Sequence, residues 1–164
     1  IMILILVSMT SFSLLVEFMR KNGNRFSRWF HGLFHFMLRD NESQGHHTGA
    51  TWLLIGWTIT VMLFKMPIAV AALLFLSIGD SFAAIVGKLF PIIRIGNKTL
   101  SGTFSGFIAS FLFVLFVNQS LLPIVIFSGS IVAMVVELIP SRLNDNLTMP
   151  IFSGLIMMCL DSIL

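Results

Sequence analysis

Charge is what this chain has least of. Only 10% of its 164 residues are Asp, Glu, Lys or Arg, while 57% are hydrophobic and the mean hydropathy is +0.98. A soluble domain carries about a quarter charged residues, so a water-soluble fold is excluded and an all-α integral membrane protein is indicated. Cysteine is nearly absent: Cys159, in the last apolar run, is alone. That excludes a disulfide framework and a cysteine-based metal centre and leaves an inert packing thiol. Residues 1–16 are not expected to be a signal peptide, because they have neither a basic flank nor a small-residue cleavage site. The sequence opens on Ile1 inside an apolar run, so a preceding segment, with one more helix, is expected. Internal repeats and low-complexity tails are absent too, and a single domain over residues 1–164 is expected.

What is there is a series of apolar runs separated by short polar breaks. A full span takes about 20 apolar residues. Residues 1–18 predict a membrane helix that ends at Glu17, Arg20 and Lys21, before the Asn22-Gly23-Asn24 break. Residues 25–38 mix Arg and His with large aromatics, the pattern of an amphipathic helix lying in the interface. Residues 39–49 are polar and predict a loop. Further helices are expected over 50–64, 66–78, 102–117, 121–139 and 148–164. A border helix over 81–90 and loops over 91–100 and 140–146 complete the reading. The sum is about six spans, several of them short, and the abundant Phe and Met are read as lipid-facing filler.

Cytoplasmic loops of membrane proteins are enriched in Lys and Arg. If residues 20–49 are cytoplasmic, alternating spans bring residues 80–101 and 140–146 to the same side. Nine of the ten Lys and Arg then share that side, and only Lys65 lies opposite. Any chemistry is therefore expected at the cytoplasmic face of a multi-pass protein, at headgroup level.

Two stretches carry that chemistry. In residues 77–106, Asp80, Ala83, Ala84, Gly87 and Lys88 recur at helical spacing and form one face of small residues between an acid and a base. Such a face suits close approach of a phosphate or, more simply, of a second helix. Gly96-Asn97-Lys98-Thr99-Leu100-Ser101-Gly102 runs directly into a helix. Backbone N–H groups at a helix start, with Lys98 and hydroxyls, make an anion site, and Ser101 is a candidate N-cap. The Walker A pattern is absent. Gly102 and Gly106 form a GxxxG, which is more often a packing motif than a site. In the second stretch, Glu137 precedes Pro140 and then Asp145-Asn146. Hard oxygen ligands suit Mg2+, and Asp80, Glu137, Asp145 and Asn146 are candidates, although Asp145 and Asn146 have helix capping as a competing role. His46 and His47 are adjacent on a loop and a poor pair for one metal ion. His31 and His35 suit headgroup contact, and Asp161 a solvated helix end.

Taken together, these residues resemble the CTP-dependent lipid kinases: dolichol kinase, phytol kinase and the CTP-using diacylglycerol kinase. The family pattern D-x-x-A-x-x-x-G-[RK] is matched by Asp80, Ala83, Gly87 and Lys88. Its K-[ST]-x-x-G is matched by Lys98, Thr99 and Gly102, and its later Glu and D-N-x-x-[VM]-P by Glu137, Asp145, Asn146 and Pro150. Upstream, Arg39 and Glu42, then Thr48-Gly49-Ala50, are similar to a segment of the phytol and diacylglycerol kinase branch. The likeness runs from about Arg20 to the C-terminus. It implies transfer of the γ-phosphoryl group of CTP to a membrane lipid alcohol, with Mg2+. It further implies phosphate binding by Lys88, Lys98, Thr99, Ser101 and Gly102, metal binding by Glu137 and Asp145, and Asp80 as metal ligand or proton acceptor. Arg39 and Glu42 would form an ion pair near the nucleotide. The expected partners are the nucleotide, the lipid alcohol and the bilayer, with no nucleic acid.

Two other functions fit parts of the sequence. A cytidylyltransferase resembling phosphatidate cytidylyltransferase would share CTP, Mg2+ and a similar loop, but the long C-terminal signature of that family is not seen. A non-catalytic scaffold or transporter is the other; transporters place polar groups at the bilayer midplane, whereas here they gather at one face.

Overall fold

A computed structural model of the chain describes residues 2–21, 48–139 and 143–164. The expected interfacial helix over 25–38, and Arg39, Glu42, His46 and His47, lie outside the described residues. The described residues are helical apart from turns and one two-stranded hairpin, in the order α1 (Met2–Lys21), α2 (Gly49–Leu63), α3 (Met66–Leu89), β1 (Arg94–Ile95), β2 (Lys98–Thr99), α4 (Leu100–Val117), α5 (Pro123–Leu138) and α6 (Asp145–Asp161). Three of them are long and apolar enough to cross a membrane: Met2–Met19 within α1, α3 and α4. α2 and α5 are apolar but shorter.

The chain forms two compact units, Ile1–Thr58 and Ile59–Leu164. In the first, a ladder of hydroxyls joins α1 to α2. Thr10 Oγ1 meets Thr58 Oγ1 at 2.8 Å, and Ser13 Oγ meets Thr51 Oγ1 at 2.9 Å. At its end the carboxylate of Glu17, only 4% exposed, accepts from the Thr51 hydroxyl at 2.6 Å and from the Thr48 N–H at 3.1 Å. Glu17 thus belongs to the protein interior and not to the polar end of a span as expected. A carboxylate at a helix start is favoured by the orphan N–H groups and dipole there.

The second unit is an antiparallel arrangement of α3, α4, α5 and α6, in which α3 packs on α4 and α6, and α5 lies between α4 and α6. At one end the Asn118 amide donates to the Pro67 carbonyl at 2.7 Å, fastening the α4–α5 turn to the α2–α3 turn. Lys98, Glu137 and Asp145 meet at the other. The core between is built from Ile68, Phe75, Val114, Val125, Ile126, Met134, Met149 and Met157, all at most 1% exposed. The expectation that Phe and Met serve as lipid-facing filler is therefore wrong for these four. Met134 lies over Gly79 and Gly106, while Met157 and Phe75 fill the space over Gly129. Flexible or flat side chains fill the irregular gaps that glycines leave.

Three boundaries differ from the sequence reading. The helices expected over 66–78 and 81–90 are one helix, because the backbone stays helical through Gly79 (φ −59°, ψ −53°) and Asp80 (φ −62°, ψ −41°). The stretch Phe75–Gly79 is a π-helical turn, which lets the chain pass a glycine without breaking. α3 stops at Leu89 because Phe90 precedes Pro91 and leaves the helical region. α4 begins at Leu100, and α6 at Asp145, so residues 145 and 146 open a helix where a loop was expected.

Candidate functional site

Between α3 and α4 the chain makes a hairpin whose two-residue turn is Gly96-Asn97, pairing Arg94 with Thr99 and Ile95 with Lys98. Gly96 has φ +61° and Asn97 a negative φ, the pattern of a II′ turn. Ile93, just before the hairpin, is held at φ +50°, costly for a β-branched residue. The segment is pinned from behind. The Leu100 N–H donates to the Ile93 carbonyl at 2.9 Å, and the Ser101 hydroxyl donates to the Phe90 carbonyl at 2.5 Å while accepting from the Ile92 N–H.

These bonds change the expected anion site. The N-cap of α4 is Thr99 and not Ser101: Thr99 ends β2 in extended conformation, and its hydroxyl accepts from the Gly102 N–H at 3.2 Å. The first N–H groups of α4 are thus engaged by the chain itself, and Ser101 and Gly102 do not line the cleft described next. Gly102 instead touches α3: a Cβ there would stand 2.5 Å from the Ala83 carbonyl and 3.2 Å from the Gly87 Cα. Gly106 approaches Gly79 in the same way. The GxxxG packs helices, and the small face of α3 serves that packing as well as the cleft.

The cleft has a volume of about 470 Å³ and is lined by all five residues of the α3 face, Asp80, Ala83, Ala84, Gly87 and Lys88. Arg94, Gly96, Asn97, Lys98 and Thr99 of the hairpin, Thr103 of α4 and Glu137 of α5 complete it. Three separate stretches of sequence therefore meet there. The ammonium of Lys98 is the joint: it lies 2.8 Å from Glu137 Oε1 and 2.5 Å from Asp145 Oδ2. Glu137 is 4% exposed, and its second oxygen accepts from the Thr103 hydroxyl at 3.2 Å. Burial alone would pull the Lys98 pKa down, but the hydrogen bonds and charges of Asp145 and Glu137 outweigh it and hold the pKa above the usual 10.5.

Asp80 stands apart from this joint. It lies on α3, a helix long and apolar enough to cross a membrane, where an acid faces protein or a polar cavity, and it lines the cleft. Among the described residues no group of three or more His, Cys, Asp or Glu converges as a metal site. The expected set of Asp80, Glu137, Asp145 and Asn146 is therefore not gathered around one point. What converges is the pair Glu137 and Asp145, on the ammonium of Lys98. An oxygen-only pair of carboxylates fits Mg2+, which takes one or two from protein and the rest from phosphate and water. At the start of α6, Asn144 is the cap, accepting from the Asn146 N–H at 3.0 Å. Neither Asp145 nor Asn146 is the N-cap, and Asp145 is left to Lys98.

Thr103 was missed by the sequence reading, because a threonine inside an apolar helix carries no signal of its own. Its position four residues after Thr99, on the face of α4 toward α5, was the available clue.

No protein-family model and no solved structure matches the chain. It is similar to an uncharacterized protein of Rickettsia prowazekii (strain Madrid E), 27% identical over 156 residues, which covers 90% of this chain and 76% of that protein.

Proposed function

We propose that this protein transfers the γ-phosphoryl group of CTP to the hydroxyl of a membrane lipid alcohol. The site would face the cytoplasm in a multi-pass protein of six spans. The observation that carries this reading is that Asp80, Lys88, Lys98, Thr99 and Glu137, from three separate stretches, line one cleft. The choice of CTP follows the resemblance of those same residues to the lipid kinase motifs.

Phosphoryl transfer asks a protein mainly for positioning and for neutralising charge. Lys88 and Arg94 at the rim, with Lys98 and Thr99 further in, supply cations and a hydroxyl for the phosphates. The alcohol oxygen bonds to the γ-phosphorus as the bond to the β–γ bridging oxygen breaks. CDP leaves with that electron pair, and the alcohol proton passes to the carboxylate of Asp80. Glu137 and Asp145 are the residues that would hold Mg2+, which when bound neutralises charge on the phosphate oxygens. Thr103 holds Glu137 in place through its hydroxyl.

The test is to incubate the purified protein in lipid with Mg2+ and CTP labelled separately at the α- and γ-phosphates, with prenols and diacylglycerol as acceptors. Label from the γ position in lipid is expected, and it should vanish in Asp80→Asn. Label from the α position would make the protein a cytidylyltransferase. No transfer from CTP or ATP by folded protein would leave a non-catalytic membrane protein.

A further inference from the structure

Residues 88–97, which join α3 to α4, are exposed without a break. A polar loop would be ordinary there, but this one carries Leu89, Phe90, Ile92, Ile93 and Ile95, between 38% and 66% exposed. A contiguous apolar surface of that kind marks a contact with a protein or a membrane. Its surroundings say which. Along α3, Phe82, Ile85 and Leu89 are exposed at helical spacing, a stripe that faces hydrocarbon where so long and apolar a helix crosses a membrane. The stripe runs on into Phe90 and Ile92 with no polar residue between. α3 ends at Leu89, and α4, the next helix able to span, starts at Leu100. The hairpin therefore lies where both apolar helices end, at headgroup level. The backbone favours the same exposure. An extended strand turns one of two neighbours inward, yet Ile92 and Ile93 are both exposed, with Ile93 at φ +50°. Strained backbone of this kind persists only where its surroundings hold it, and here the Leu100 N–H does so through the Ile93 carbonyl.

We propose that the hairpin is an anchor for anionic lipid: its apolar side chains enter the leaflet on the side of the cleft, and Lys88 and Arg94 bind the phosphates of anionic headgroups there. Charge selects the partner. Between Asp80 and Glu137 the chain has no acidic residue, and its bases there are Lys88, Arg94 and Lys98. Lys98 is taken by Glu137 and Asp145. Lys88 and Arg94 are exposed, and among the described residues neither forms an ion pair. Basic residues next to a span are drawn to an anionic leaflet, and the planar fork of a guanidinium matches two phosphate oxygens at once. A protein partner would need no such pair of free cations beside the apolar patch. The other side of the same hairpin, Gly96 to Thr99, lines the cleft, so the leaflet would hold the hairpin by one side and leave the other to the site. The inference does not depend on the kinase reading. Because Lys88 and Arg94 also line the rim of the cleft, its test is made without nucleotide.

The full chain carrying Cys159→Ser and Ile93→Cys is labelled with an environment-sensitive fluorophore and placed in vesicles of phosphatidylcholine and phosphatidylglycerol in equal parts. Ile95→Cys takes the place of Ile93→Cys where the latter does not fold, and Asn97→Cys, on the cleft side of the turn, is the comparison. Lipids bearing a nitroxide near the top of the acyl chain should quench the label at position 93 at least twofold more than the label at position 97. The nitroxide carried on phosphatidylglycerol should quench at least twofold more than the same group on phosphatidylcholine. Lys88→Gln together with Arg94→Gln should bring the two lipids level while the quenching by phosphatidylcholine stays. Equal quenching at positions 93 and 97 would put the hairpin in water and overturn the inference. A blue-shifted label at position 93 that no lipid quenches would mean that protein, such as a second copy of the chain, covers the patch, and would overturn it too. Equal quenching by the two lipids in the unsubstituted background would leave insertion without an anionic partner and overturn the proposal as stated.

Discussion

Lys98 is the residue on which most of the site depends. Its ammonium joins the hairpin to α5 through Glu137 and to α6 through Asp145. Lys98→Met would leave the nearly buried Glu137 without its cation, a loss of about 1–3 kcal/mol for a pair that is only part-buried. It should also abolish phosphoryl transfer, and the two effects separate by thermal unfolding in detergent and by the labelled-CTP assay. Because the folded pKa of Lys98 is raised, the stability its charge supplies is complete below the unfolded value near 10.5 and is lost as pH rises through the higher folded value. Melting temperature measured from pH 9 to 12 should fall at the alkaline end, and Lys98→Met should remove that part of the fall. Glu17 is the corresponding residue of the other unit. Glu17→Ala strips the acceptor from the Thr51 hydroxyl and the Thr48 N–H, and buried donors left unmet cost about 1–3 kcal/mol; chemical unfolding of the detergent-solubilised protein reads it. The sequence reveals that Lys98, Glu137 and Asp145 are out of place in so apolar a chain. It does not reveal that they meet, because 39 and 47 residues separate Lys98 from its two partners and only folding closes the distance. Glu17 was misread because an acid near the end of an apolar run looks like the end of the span, and its partners lie 31 and 34 residues further along the chain.

At the scale of the elements, the small face of α3 was legible because Asp80, Ala83, Ala84, Gly87 and Lys88 keep the helical period, and all five line the cleft. The same glycines and alanine also bring α3 against α4. Gly106→Val should therefore be destabilising by about 1–3 kcal/mol, the usual range for overpacking, because a Cβ at Gly106 would stand 2.6 Å from the Gly79 carbonyl. Unfolding in a graded detergent series would show whether the loss appears. The start of α4 was misjudged by two residues, since both Thr99 and Ser101 can cap and only the extended backbone at Thr99 selects it. Ile93 offers the opposite kind of change. Its left-handed φ costs a β-branched residue about 1–2 kcal/mol, so Ile93→Gly should hold or raise the melting temperature. Any loss of activity there would mean that the hairpin's aim, and not its stability, is what the strained residue maintains.

Over the whole molecule, positive charge gave the orientation reading and helix length limits it. Among the described residues three helices are long and apolar enough to span; α2 and α5 fall short of about 20 residues. Within the second unit, Pro67 and Asn118 meet at one end while Lys98, Glu137 and Asp145 meet at the other. Single cysteines at Lys65 and Gln119, in a Cys159→Ser background, should react with a membrane-impermeant thiol reagent from one side of a sealed vesicle. Those at Asn97 and Leu143 should react from the other. A shared side for all four would end the alternating reading. The π-helical turn at Phe75–Gly79 bears on what length changes this protein tolerates. Such a turn is a helix carrying one surplus residue. Removing Ser77, which is exposed, should leave a plain α-helix with both flanks still in register, so that Asp80 and Lys88 keep their aim. Removing a residue from Met66–Leu74 has no such slack to absorb it. It would rotate everything beyond by about 100°, one residue's share of a 3.6-residue turn, and carry the acid out of the cleft. The helix that bears Asp80 thus has room for one deletion, at one place.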